Sequence, residues 1–186
     1  LNAFREEIKD NLKDIEDPTK LNTFADEIIR GVHVLNLIQP PQTLKPLKEF
    51  AFDKSSETFA NVALNAYKKF GDTAPIISIE NPPVGMGLAR ADDLREVVKR
   101  SREKLQKSLM EKQGMSENEA GKQAEKLIGV TWDVGHINML RKYGYEDKEI
   151  VKETEKIAPF VKHVHLSDNF GMEHTELPMG MGNVPA

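Results

Sequence analysis

Four short apolar runs, VHVLNLI (32–38), PIISIE (75–80), IGVTWD (128–133) and FVKHVHLSD (160–168), each follow a segment with helical periodicity. That alternation constrains the fold more than any other feature of the chain. Strands separated by helices need crossover connections, so consecutive strands are expected to run parallel with the helices packed outside them. Residues 1–15 carry Leu1, Phe4, Ile8, Leu12 and Ile15 at helical spacing, and Asp17-Pro18 signals a second helix that Gly31 should close. Further helices are expected at about 55–70, 91–127 and 146–158. The long one should break at Gly114 and restart at Ser116, where Glu119 completes a capping box. The expected class is α/β.

Composition narrows the chemistry. The chain has no cysteine, so disulfides and thiolate ligands are excluded and any metal must be held by oxygen and nitrogen. A formal charge of −4 argues against a dedicated nucleic-acid surface. No apolar run approaches the ~20 residues that span a bilayer, so no membrane partner is expected and the cytoplasm is the expected location. The length of 186 residues suits a single domain. Leu1 at one end and the Gly/Pro-rich segment before Ala186 at the other read as cut edges.

In parallel sheets, ligands bind at the carboxyl ends of the strands. Here those ends present Gln39, Glu80 with Asn81, Asp133 with His136, and His165 with Asp168. Each alone has an ordinary explanation. Glu80 would be an ion-paired carboxylate, Asp133 a turn cap, and a strand histidine a hydrogen-bonded core residue. Alternation puts His163 and His165 on one face, with His163 the deeper, structural one, and His33 reads as core. Taken together, Glu, Asp and His at three strand ends favour a divalent cation, because clustered carboxylates without one would repel each other. Gly180 and Gly182 allow a phosphate cradle, but a tight loop near a ligand is the better reading.

In this order, IENPP, WDVGH, HVHLSDN and EHTELPMGMG resemble motifs of the xylose-isomerase-like TIM barrel superfamily, from about Gly31 onward. That superfamily includes sugar and sugar-phosphate isomerases and epimerases and enzymes related to endonuclease IV. The resemblance implies a partial TIM (β/α)8 barrel in which the four runs are parallel strands four to seven with outer helices. Residues 1–186 would then be one incomplete domain lacking the first three strands and the last. With open edges and an uncovered inner face, such a piece should aggregate or pair with another copy of the chain as a homo-oligomer, unless the remaining strands are supplied.

The resemblance also implies the roles. Glu80, Asp133 and His165 match metal ligands, and His136 and His174 match positions that contact substrate; Asn81 beside Glu80 is placed with them. Glu80 matches a catalytic acid/base as well. The implied cofactor is one divalent ion (manganese, magnesium, cobalt or zinc), and the implied partner is a small sugar or sugar phosphate rather than nucleic acid. The implied activity is isomerisation or epimerisation by metal-assisted proton transfer through an enediolate. Two alternatives stand beside it: an abasic-site phosphodiesterase of the endonuclease IV type, and a sugar-binding barrel without turnover. Gln39 and Met172 stand where the endonucleases carry metal ligands, which counts against the first alternative.

Overall fold

The computed structural model describes residues 6, 9, 17–37 and 44–185. Where one domain was expected, internal contacts divide the chain into two compact units, residues 1–45 and 46–186.

In the first unit, helix α1 spans Leu21–Leu37. Asp17 turns the chain ahead of it, its Oδ1 accepting from the backbone N–H and the hydroxyl of Thr19. The run expected as the first strand, 32–38, is helical through Leu37, and Ile38 lies outside the described residues. A seven-residue apolar run does not distinguish helix from strand by period, and β-branched residues favour strands only where a neighbouring strand receives them. Gly31 does not end the helix. It is buried within it, a position that costs about 1 kcal/mol relative to alanine and is tolerated. His33, expected in a core, is exposed. The helix expected at 1–15 lies outside the described residues except for Glu6 and Lys9, both helical and paired at 3.1 Å. Gln39 also lies outside them.

The second unit runs α2 (Leu47–Phe70), β1 (Ile77–Glu80), α3 (Ala91–Gln113), α4 (Glu117–Leu127), β2 (Ile128–Asp133), α5 (Val134–Asn138), α6 (Asp147–Ile157) and β3 (Val161–His165). The strands form one parallel sheet in the order β1-β2-β3. The last three expected strands are therefore present and parallel, but the expected partial TIM barrel is not. Residues 21–37 are helical, the described chain is dominated by helix, and among the described residues the sheet has three strands and stays open. A barrel needs a closed ring of paired strands, and nothing here closes the edges of β1 and β3.

Helix α3 organises the core. Leu94, Val97, Val98, Leu105 and Leu109 recur at helical spacing and are buried. They meet Phe52, Ala60, Ala63 and Leu64 of α2, Ala120 and Ala124 of α4, and Ile128, Val130 and Trp132 of β2. Each fully buried aliphatic side chain contributes roughly 1.5–3 kcal/mol relative to exposure. Gly114 ends α3 in the left-handed region at φ +68°, and Ser116 and Glu119 form the expected capping box. Alternation along β2 sends Ile128, Val130 and Trp132 to the helices and turns Gly129, Thr131 and Asp133 to the other face. The buried side of the sheet thus holds Asp133 in place from behind.

A second constraint fixes α3 against α6. Glu153 is buried, and its carboxylate accepts from the Arg90 guanidinium at 3.0 and 3.1 Å, from the Ala91 N–H at 2.9 Å and from Lys156 at 3.0 Å. Burial alone would raise the pKa of Glu153, but these donors overcome it and hold the group down at about 2, against an ordinary 4.5. The contribution to stability is therefore full above about pH 4.5 and is lost as pH falls towards 2. Glu153→Gln should cost about 3 kcal/mol at pH 7, read from urea unfolding followed by circular dichroism. The gap to wild type should shrink between pH 4.5 and 2, and a pH-independent gap would contradict this account.

Candidate metal centre

Three strand ends and one turn build the site. β1 ends in Glu80, β2 in Asp133 and β3 in His165, and the register sets Asp133 opposite His165. β2 runs without a break into α5, so Asp133 becomes the cap of that short helix: its Oδ1 accepts from the backbone N–H of His136 at 3.0 Å. The acid and the imidazole three residues apart in TWDVGH are thus two parts of one turn. Gly135 leaves room between them. A Cβ there would come 2.3 Å from Ser167 Oγ, closer than real side chains pack, and a tight 3.0 Å from Asn169 Nδ2, so the Ser167 hydroxyl would have to shift.

Asn81 holds the turn from the neighbouring strand. Its amide nitrogen donates to Asp133 O at 3.0 Å, and its amide oxygen accepts from Asp133 N at 2.7 Å. Its own backbone oxygen lies 2.7 Å from His136 Nδ1. A carbonyl can only accept, so His136 Nδ1 carries the proton and the lone pair of the neutral ring is left on Nε2. Asn81 was placed with the substrate contacts. With 0% exposure and both amide atoms engaged, it serves Asp133 and His136 instead.

The carboxylates are arranged differently from each other. Asp133 is 6% exposed at its side chain, and its Oδ1 takes the His136 N–H and the Ser167 hydroxyl at 3.2 Å. Its Oδ2 faces His136 Nε2 and His165 Nδ1, each at 3.7 Å. Glu80 is 40% exposed and its Oε1 lies 3.0 Å from His165 Nδ1 and 3.8 Å from His136 Nδ1. One donor atom each from Glu80, Asp133 and His136 falls within 4.8 Å of the other two. These three residues form a candidate metal-binding triad, with His165 against the same oxygens. Of the expected ligands, Glu80 and Asp133 belong to the triad, and His165 lies against their oxygens but outside it; the third member is His136, which the resemblance had placed on the substrate. The donor set, carboxylate oxygen with imidazole nitrogen, fits a divalent cation of borderline hardness.

His174 reaches the centre from the loop after β3, its Nε2 2.9 Å from His136 Nε2 and 3.8 Å from Glu176 Oε1, with the two rings edge to face. His163, expected as the deeper structural histidine, is exposed and stands edge-on to His165 at 5.0 Å between ring centres. Asp168 is not available as a ligand. Burial would raise its pKa, but it is lowered by backbone N–H groups of Val184, Gly182, Gly180 and Asn169. The glycine pair therefore does form an anion cradle, and the anion in it is the chain's own carboxylate. Ser167 was missed from sequence, and only its place between His165 and Asp168 pointed to it.

Compared with known proteins, the chain matches no family model, no curated protein and no solved structure. No helix among the described residues is long and apolar enough to cross a membrane.

Calorimetric titration with Mn²⁺ should show one equivalent bound at this centre. Asp133→Asn should abolish it. Asn81→Ala, which touches no ligand atom directly, should weaken binding about 10–100-fold, as loss of an orienting partner does. Unchanged affinity in Asn81→Ala would remove Asn81 from the site's support.

Proposed function

We propose that the protein is a divalent-metal-dependent isomerase or epimerase of sugars or sugar phosphates. The observation that carries this reading is the unequal burial of two carboxylates beside one donor cluster. Asp133 is fixed and sealed, while Glu80 stands half-exposed on the open side. A fixed ligand next to a reachable one suits proton transfer on a bound small molecule, where one group must hold position and the other must approach carbon.

A divalent cation bound there supplies Lewis acidity, polarising a substrate carbonyl and acidifying the adjacent carbon–hydrogen bond. The residues of this chain do the rest. Asp133, its Oδ1 anchored, keeps Oδ2 directed at the centre. His136, its tautomer set by Asn81 O, keeps Nε2 there. Glu80 takes the proton from carbon, and His165 Nδ1, 3.0 Å from Glu80 Oε1, orients that carboxylate. His174 Nε2 lies 2.9 Å from His136 Nε2; with that lone pair engaged by an ion, the His174 N–H would be free to hold a substrate hydroxyl.

The test is deuterium wash-in. With Mn²⁺ in D₂O, the protein should exchange the hydrogen next to the carbonyl of at least one member of a panel of pentoses, hexoses and their phosphates, followed by proton NMR. Glu80→Gln should reduce that exchange by at least about 10²–10⁴-fold, the usual range for general acid–base catalysis. Exchange that survives in Glu80→Gln would take Glu80 out of the mechanism. Sugar binding without exchange in wild type would make this a binding protein and not an isomerase.

A further inference from the structure

Asp168 lies three residues beyond His165 and directly after Ser167, whose hydroxyl reaches Asp133. Its carboxylate is 2% exposed and makes four hydrogen bonds, all from backbone N–H groups. Oδ1 accepts from Asn169 N at 2.9 Å and Val184 N at 3.0 Å, and Oδ2 from Gly180 N and Gly182 N at 2.8 Å each. A buried carboxylate is costly unless hydrogen-bonded, and bonds to an ionised acceptor are the stronger kind. The donors at 180, 182 and 184 come from every second peptide of one short stretch, so a single side chain gathers that stretch to the end of β3.

The same residue closes the loop by its backbone. Asp168 N donates to Leu177 O at 2.7 Å, and Leu177 N donates to Asp168 O at 2.8 Å. Asn183 N adds a bond to Asn169 O at 2.9 Å. Residues 169–184 are therefore tied at the base, and His174 lies on the part that reaches His136. The approach leaves no room for a side chain at Gly182. A Cβ there would stand 2.4 Å from both Asp168 Oδ1 and Asn169 O.

We infer that Asp168 is a positioning residue of the metal centre: by gathering the N–H groups of Gly180, Gly182 and Val184 it fixes the loop that holds the His174 ring on His136 Nε2. It touches neither substrate nor ion and acts through His174. The inference rests on the proposed function only for its effect on turnover, since the contact between the rings is a property of the chain alone.

Asp168→Asn keeps the shape and replaces one accepting oxygen with a donating amide nitrogen, so one pair of N–H groups loses its acceptor. In the full chain without metal, the nuclear Overhauser contact between the His136 and His174 rings should disappear, while contacts around Trp132 and between Asn81 and Asp133 persist. A folded variant that keeps the ring contact overturns the inference. If Asp168→Asn does not fold, Gly182→Ala carries the same test, with loss of the contact expected and its persistence contrary. Failure of both to fold would make the loop part of the general folding core and would equally overturn a local role. With Mn²⁺ and an exchanging sugar, Asp168→Asn should raise KM about tenfold and leave kcat within about threefold, the mark of lost substrate positioning. Absence of exchange in wild type would defeat the proposed function and leave the ring-contact result to decide the role of Asp168.

Discussion

The side chain of Asn81 is wholly engaged with the backbone of Asp133. Two short bonds across the ends of β1 and β2 lock those ends in register at the point where the sheet stops. Because both partners are buried, neither bond competes with water, and losing either would leave an unpaired polar group in the interior. The Asn81 carbonyl then sets the tautomer of His136, so one residue governs both the direction of the Asp133 carboxylate and the nitrogen that His136 presents. The clamp sets the geometry in which the ligands of the candidate centre meet.

Support for the clamp comes from the helical layer. Trp132 and Val130 are held against α3 and its neighbours, so β2 cannot slide, and Asp133 inherits that immobility. β1 and β3 are less enclosed, and the residues they contribute, Glu80 and His165, are correspondingly half-exposed. The gradient from a sealed central strand to open flanking strands gives two chemically similar carboxylates different duties. No special local sequence is needed for that difference, only position in the sheet.

How much of this could be read from sequence follows from how far apart the interacting residues lie. The break at Gly114 and the Ser116–Glu119 box were legible because a cap involves residues three apart. The last three strands were legible from short apolar runs bounded by turns, and Glu80, Asp133, His136 and His165 from their place at the strand ends. The run at 32–38 was misread because an apolar stretch of that length does not distinguish strand from helix by its period. The barrel followed from that misreading and from motif resemblance, and it fell with it. Asn81 was placed with the substrate contacts because it stands beside Glu80, and the residue its side chain serves, Asp133, lies 52 positions away. Asp168 looked like a site carboxylate, and only the return of residues 180–184 shows it saturated. The Arg90–Glu153 pair, 63 residues apart, left no trace in local pattern.

Trp132 gives the centre a reporter of its own. It is the only tryptophan in the chain, it is 1% exposed, and its indole N–H donates to Thr154 Oγ1 at 3.0 Å. Tryptophan fluorescence from this protein therefore originates at one sealed point, one peptide bond from the best-anchored carboxylate of the cluster. A paramagnetic ion seated on that carboxylate would quench the emission at close range, while ions gathered on the outer helices would leave it bright, so occupancy of this one spot can be followed optically without a label.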